Sequence, residues 1–301
     1  MIRKMIPREL YSDKLSDAVC FLSRCEDNIK VEDLVCRDPI FLLSAGWRSG
    51  STLLQRLVCS DTSTIIWGEP FGDRIPIPRL SATIADFCRD DPTIPYAINK
   101  FSGELSDEWI ANLNPGVCAI RNAHLAFFEN LLAKPAREKG FKRWGIKTVR
   151  LSAYHAIYLR WLYPEAKFVF LVRNPLSAYR SYKGKTWYLV RPYYRMNNVF
   201  KFMALWQNIA SSFASEWQEI GAILIRYEDL INETKVVKDL AQFLDIRVNH
   251  EVIGKKVGHS HQRDKPELRW WDILVCQMLA GEISRKLGYK IYQKSVLKKI
   301  L

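Results

Sequence analysis

Five short apolar runs, each followed by a stretch of different periodicity, constrain this chain more than any other feature. They are Ile40–Leu43, Ile65–Trp67, Gly145–Lys147, Lys167–Val172 and Ala222–Ile225. Runs of this length and character predict parallel strands buried on both faces. Helical segments fall between them. Ser51–Val58 follows the first run, and Ser152–Tyr163 carries Tyr154, Ile157, Tyr158 and Trp161 at three-to-four spacing. Pro175 stands where a first helical turn would begin. Val199–Ile220 places Phe202, Leu205, Trp206, Ile209 and Phe213 on one stripe. Asn232 can cap a helix reaching Leu244, and Gly288 can close one from Asp272. Strand and helix in alternation predict one doubly wound α/β domain over residues 1–301, a parallel β-sheet flanked by helices. Residues 1–38 read as a helical N-terminal extension. Residues 72–140 read as an insertion, its first half broken by Pro76, Pro78, Pro92 and Pro95.

The first run leads into Ser44-Ala45-Gly46-Trp47-Arg48-Ser49-Gly50-Ser51-Thr52. A glycine-containing turn between a strand and a helix aims backbone N–H groups at one spot, and the helix dipole favours an anion there. Ser49, Ser51 and Thr52 add hydroxyl donors and Arg48 a fixed charge. A tight turn with no ligand is the plain alternative. The loop is P-loop-like but not a Walker A loop, which would require Gly at position 51 and Lys at 52, where Ser and Thr stand. The carboxylate that holds Mg²⁺ in ATP- and GTP-hydrolysing enzymes is also missing: the run Lys167–Val172 ends in Arg173. A cation there repels Mg²⁺ and attracts a second phosphate, which points to a nucleotide phosphorylated at two separate places.

Composition narrows the classes further. The 301 residues are 48% hydrophobic and 26% charged, which excludes a disordered, collagen-like or small disulfide-bonded chain. A net charge of +13 favours an anionic partner. No RNP, KH or zinc-finger signature accompanies it, so nucleic acid is not expected. The seven cysteines are scattered without a CxxC pair and read as reduced thiols. Cys20, Cys25 and Cys36 lack a fourth zinc ligand at finger spacing, and His259 and His261 alone leave a metal site incomplete. No metal is expected. No signal peptide and no apolar run of membrane-spanning length is visible. The default reading is cytoplasmic, although a luminal enzyme without its anchor would look similar.

With these motifs in place the sequence resembles the sulfotransferases that use 3′-phosphoadenosine 5′-phosphosulfate (PAPS). Arg48-Ser49-Gly50-Ser51-Thr52 is similar to the family's 5′-phosphosulfate loop in its Golgi and bacterial form; the cytosolic branch usually has Lys at the place of Arg48. Arg173-Asn174-Pro175 with Ser181 is similar to the 3′-phosphate motif. Arg226-Tyr227-Glu228-Asp229-Leu230 resembles the family's YEDL segment and implies a cofactor-side role for Tyr227. The three keep their order and spacing across residues 40–245. Trp67-Gly68-Glu69-Pro70-Phe71 and Trp144-Gly145-Ile146-Lys147-Thr148 resemble the tyrosylprotein and carbohydrate branches. Those branches place a carboxylate base at the first and a Lys near the transferred group at the second.

The resemblance implies sulfuryl transfer from PAPS to a hydroxyl or amine, releasing adenosine 3′,5′-bisphosphate. It assigns Arg48, Lys147 and Glu69 to catalysis, and Arg48, Ser49, Gly50, Ser51, Thr52, Arg173, Ser181 and Tyr227 to the nucleotide. The cytosolic branch carries a His after its Lys-Thr pair; Val149 stands here, which favours Glu69 as base, with His155 next to test. Plainer readings remain open. Glu69 could pair with Arg74, Lys147 could be a solvated strand end, and Arg173 could pair with Asp229. The stretch Trp187–Arg195 could line an acceptor cleft or pack as a loop, and Gly258–Arg263 could close over the cofactor. The competing functions are a kinase-like enzyme using ATP and Mg²⁺, and a nucleic-acid or membrane-surface binder. The acceptor and the oligomeric state are not legible.

Overall fold

Leu15, Ala18, Val19 and Leu22 recur at helical spacing and form the buried stripe of α1 (Asp13–Cys25). The computed structural model that contains this helix describes residues 13–25, 36–72, 76–85, 87, 96–98, 101–104, 106, 108–183, 198–254 and 266–291. Arg74, the stretch 187–195, and the loop 258–263 with His259 and His261 lie outside the described residues.

The first apolar run is β1 (Ile40–Ser44), buried throughout, and it leads through the loop into α2 (Ser51–Val58). β2 (Thr64–Gly68) follows. Between β2 and β3 the longer described elements are helices, joined by irregular stretches and an isolated bridge between Ala97 and Asn114. α3 (Ile77–Ala82) has Pro76 at its N-cap; α4 (Val117–Phe128) continues through a π-helical turn, Glu129–Ala133, into α5 (Lys134–Glu138). β3 (Arg143–Thr148), α6 (Ala153–Leu162), β4 (Lys167–Val172) and α7 (Pro175–Lys183) come next. The long α8 (Val199–Ile220) ends at Gly221 in the left-handed conformation and leads into β5 (Ile223–Arg226). α9 (Tyr227–Asn232), α10 (Thr234–Leu244), α11 (Glu251–Gly254) and α12 (Trp270–Lys286) complete the described chain.

One expected cap is displaced. Asn232 does not open the helix to Leu244: it is the last residue of α9, and its side-chain amide donates to the Glu228 carbonyl at 2.8 Å. Glu233 is the N-cap of α10. Tyr227–Leu230 already forms a helical turn there, so Asn232 is taken up inside it. α12 starts at Trp270, with Asp272 in its first turn accepting from the Arg269 N–H at 2.9 Å.

All strands pair in parallel in the order β2-β3-β1-β4-β5. Both faces are covered, as the uniformly apolar runs require. Phe41, Leu43, Phe168 and Phe170 face a core with α6 and α8, where Phe170 stacks on Phe213 at 4.2 Å. Ile40, Leu42, Val169 and Leu171 face the other way, onto α2 and α10. Gly145 lets β3 lie against β1. A Cβ there would stand 2.1 Å from the Ile40 carbonyl oxygen and 2.6 Å from Ile66 Cδ1.

Candidate active site

In an open parallel sheet, ligands bind outside the carboxyl ends of the strands. Every strand here carries a candidate residue to that end. β1 runs into the phosphate loop, Glu69 directly follows β2, and Lys147 is in the last turn of pairing on β3. Arg173 directly follows β4, and Tyr227 directly follows β5. Arg48, Gly50, Ser51, Thr52, Glu69, Arg173 and Tyr227 line one open cleft of about 520 Å³ together with Trp47, Leu53 and Val149. A cleft of similar size along the outer edge of β5 has a mostly apolar lining, and its Arg226 and Asp229 are paired with each other.

The loop is shaped for an anion. Gly50 has φ +93°, and a Cβ on it would stand 2.1 Å from the Tyr227 ring, so the backbone and the ring are in direct contact. The Arg173 guanidinium lies over the same ring at 4.4 Å. Its Nη1 donates to the Arg48 carbonyl at 2.8 Å, while Arg48 Nε donates to Ser181 Oγ at 3.0 Å. Arg173, Arg48 and Ser181 are thus joined in one network. Burial holds the Arg48 guanidinium below its ordinary pKa, and the neighbouring positive charge of Arg173 adds to the effect. Two like charges held together favour an anion between them. Ser49 Oγ and Arg173 Nε are buried without a hydrogen-bond partner among the described residues. Buried orphan donors of this kind call for an acceptor, which the phosphates of a doubly phosphorylated nucleotide would supply. The donor set therefore fits the nucleotide that the sequence implies.

The last candidate segment holds this frame together. Arg226 pairs bidentately with Asp229, at 2.6 and 2.9 Å, so the Arg173–Asp229 pair does not form. Glu228 accepts from the Asn174 N–H at 3.1 Å and from the Tyr289 hydroxyl at 3.0 Å, fixing the turn that follows Arg173. Leu230 is buried.

Glu69 sits on the cleft wall in an unusual backbone. Its φ is +42°, Phe71 has φ +64° and Gly72 φ +58°. Non-glycine residues in this region cost roughly 1–2 kcal/mol each, and such strain concentrates at functional sites. Glu69 Oε1 accepts from Lys147 Nζ at 2.7 Å, and Oε2 from Arg150 Nη2 at 3.3 Å. Lys147 is buried and stands behind Glu69 rather than on the cleft lining. The sequence reading missed Arg150. The signal was available, since Arg150 follows β3 by two residues on the ligand side of the sheet. His155 is buried at the start of α6, its Nδ1 accepting from the Ser152 N–H at 3.3 Å as part of the helix cap.

A model of the sulfotransferase family matches residues 39–250. The chain belongs to the sulfotransferase family. No curated protein sequence matches it. Among solved structures it is similar to the sulfotransferase domain of the Synechococcus PCC 7002 olefin synthase, at 15% identity and a TM-score of 0.46, with 88% of this chain and 99% of that one covered. It is also similar to a sulfotransferase from Alicyclobacillus acidocaldarius, at 14% identity and a TM-score of 0.45, covering 86% and 98%. A third is mouse sulfotransferase SULT7A1 complexed with PAP, at 14% identity and a TM-score of 0.39, covering 83% and 68%. Sulfuryl transfer is the reaction class of the family. Among the described residues no helix is long and apolar enough to cross a membrane, and no group of three or more His, Cys, Asp or Glu could hold a metal ion.

Proposed function

We propose that this sulfotransferase takes its sulfuryl group from PAPS and delivers it to a hydroxyl or amine, releasing adenosine 3′,5′-bisphosphate. One observation carries this reading: two arginines that follow different strands, Arg173 lying over Tyr227 and donating to the Arg48 carbonyl while Arg48 donates to Ser181, share a cleft with the Glu69 carboxylate. In the assignment that follows, the loop 48–52 receives the 5′-phosphosulfate, Arg173 and Ser181 the 3′-phosphate, and Tyr227 the nucleotide's side of the cleft. The acceptor approaches from Glu69.

The bonds exchanged follow from these positions. The acceptor oxygen or nitrogen forms the new bond to sulfur as the bond from sulfur to the phosphate oxygen breaks in line. The acceptor proton passes to Glu69, and the electron pair stays on the leaving bisphosphate. Arg48 offsets the charge that grows there, a kind of contribution worth about 3 kcal/mol in oxyanion sites. Lys147 holds the Glu69 carboxylate from behind. The acceptor side is built by the segment between β2 and β3, where the fold departs most from regular α/β alternation. We place the enzyme in the cytoplasm.

The test is Glu69→Gln, which keeps shape and removes basicity. Transfer is expected to fall about 10²-fold or more, with bisphosphate affinity by calorimetry unchanged, because a base acts on the acceptor. An acceptor for the assay comes from incubating labelled PAPS with a fractionated extract and identifying the labelled product by mass spectrometry. Retention of most of the rate would place the base elsewhere. With Arg173 where a metal carboxylate would stand, turnover is also expected to survive EDTA. A strict Mg²⁺ requirement for the chemical step would favour the ATP-dependent alternative.

A further inference from the structure

We infer that Arg150 is a positioning residue, holding the strained turn Glu69–Gly72 so that the Glu69 carboxylate faces the cleft. The inference rests on the proposed role of Glu69. Arg150 is 2% exposed. Its Nη2 donates to the Gly72 carbonyl at 2.5 Å and to Glu69 Oε2 at 3.3 Å, and its guanidinium lies over the Trp47 ring at 5.7 Å. One side chain thus reaches both ends of the turn and the phosphate loop.

The turn needs such a tether. Glu69, Phe71 and Gly72 all have positive φ, and Phe71 is 59% exposed, so core packing of its ring does not hold it in place. Bulky side chains leave this conformation unless neighbours over-determine it. The Glu69 N–H donates to the Lys147 carbonyl at 2.8 Å, which fixes the start of the turn to β3, and the Gly72 N–H donates to the Glu69 carbonyl at 2.8 Å. Arg150 adds the link from the end of the turn back to the carboxylate. Lys147 alone fixes Oε1 but leaves the carboxylate free to rotate about that contact. A second, fixed donor on Oε2 removes that freedom. A planar guanidinium can reach two acceptors while stacked on an indole, whereas an ammonium cannot match that geometry.

The full chain is compared with Arg150→Met, Arg150→Lys and Arg150→Ala. Hydrogen exchange reads the tether without any substrate. The Glu69 and Gly72 amides are expected to exchange at least about tenfold faster in Arg150→Met, with β1 and β4 amides unchanged, as local release of one turn implies. Bisphosphate binding by calorimetry is expected to stay within about twofold, since Arg150 lies on the acceptor side. The turnover number is read with the labelled acceptor and with water as acceptor, and expressed per bisphosphate-binding site so that unfolded protein does not count. A fall of about 30- to 100-fold is expected for Arg150→Met and a smaller one for Arg150→Lys, in line with the geometric cost of a misplaced catalytic group. Millimolar guanidinium, but not sodium chloride, is expected to restore part of the loss in Arg150→Ala.

Unchanged exchange at Glu69 and Gly72 would overturn the tether. Unchanged turnover in Arg150→Met, with Glu69→Gln still impaired, would overturn its catalytic consequence. If Glu69→Gln itself retains its rate, the base assignment fails, and the exchange measurement still decides the tether.

Discussion

At Gly50 two separate demands meet on one atom that is absent. The left-handed φ excludes most side chains, and the Tyr227 ring fills the space that a Cβ would take. Gly50→Ala is therefore expected to abolish measurable bisphosphate binding in calorimetry. Adding Tyr227→Ala should not restore it to the affinity of Tyr227→Ala alone, because the backbone demand persists; recovery to that level would show that only the ring mattered. Arg173→Ala is expected to lose roughly 1.5–3 kcal/mol of bisphosphate affinity, the usual worth of charged hydrogen bonds, and to leave weak ATP binding unaltered. Equal losses for both ligands would remove the 3′-phosphate assignment. Residues read from motifs, such as Arg48, Arg173 and Tyr227, converge in the cleft because a strand end fixes where a side chain begins. Arg150 escaped because its role depends on the turn of a different strand bending back toward it. Its place two residues past β3 marked it as near the ligand side, but periodicity carries no trace of that meeting.

At the scale of elements, Lys167–Val172, Ser51–Val58 and Val199–Ile220 form with the same bounds that the sequence suggests. Burial on both faces or one long stripe leaves little freedom there. β1, β2 and β3 extend beyond their apolar runs, since Ser44, Thr64 and Arg143 join the pairing without being apolar, while β5 is shifted by one residue, leaving out Ala222 and taking in Arg226. Asn232 misled because a capping residue looks the same inside a short preceding helix. The segment between β2 and β3 was not legible as elements: its helices are short, and one carries a π-helical turn that breaks the 3.6-residue rhythm. Gly145 is the element-scale counterpart of Gly50. Gly145→Ala would push a methyl group into the Ile40 carbonyl and separate β3 from β1. A destabilisation of about 3 kcal/mol or more is expected in urea unfolding, at the upper end of overpacking costs. A loss under about 1 kcal/mol would mean that the two strands can yield.

For the whole molecule, buried acids that ionise on unfolding set a ceiling on alkaline stability. Burial pushes the Cys276 thiol up to about 12 and the Cys36 thiol up to about 11, from an ordinary value of 9.0. Below pH 9 both thiols are protonated in either state, and their contribution is fully present. Between pH 9 and those raised values only the unfolded chain releases the proton, so stability falls as pH rises, by about 1.4 kcal/mol per pH unit for each thiol. The urea midpoint is expected to drop between pH 8 and pH 10.5, and less so in Cys276→Ala; a flat midpoint would contradict this. The strand order has another consequence, for biosynthesis. β1 is made early, yet Ile40 pairs with Gly145 on one side and Lys167 on the other, and the loop after β1 gains its ring contact only from Tyr227. At about 5–20 residues per second, a ribosome needs on the order of 10–40 s to travel from the loop to that tyrosine. Until β3 is made, about a hundred residues into that interval, the buried strand β1 has no neighbour to pair with, and the contact of Tyr227 with the loop is still absent when β3 and β4 arrive. A ligand that needs the Tyr227 contact therefore cannot assist the chain while β1 is still unpaired.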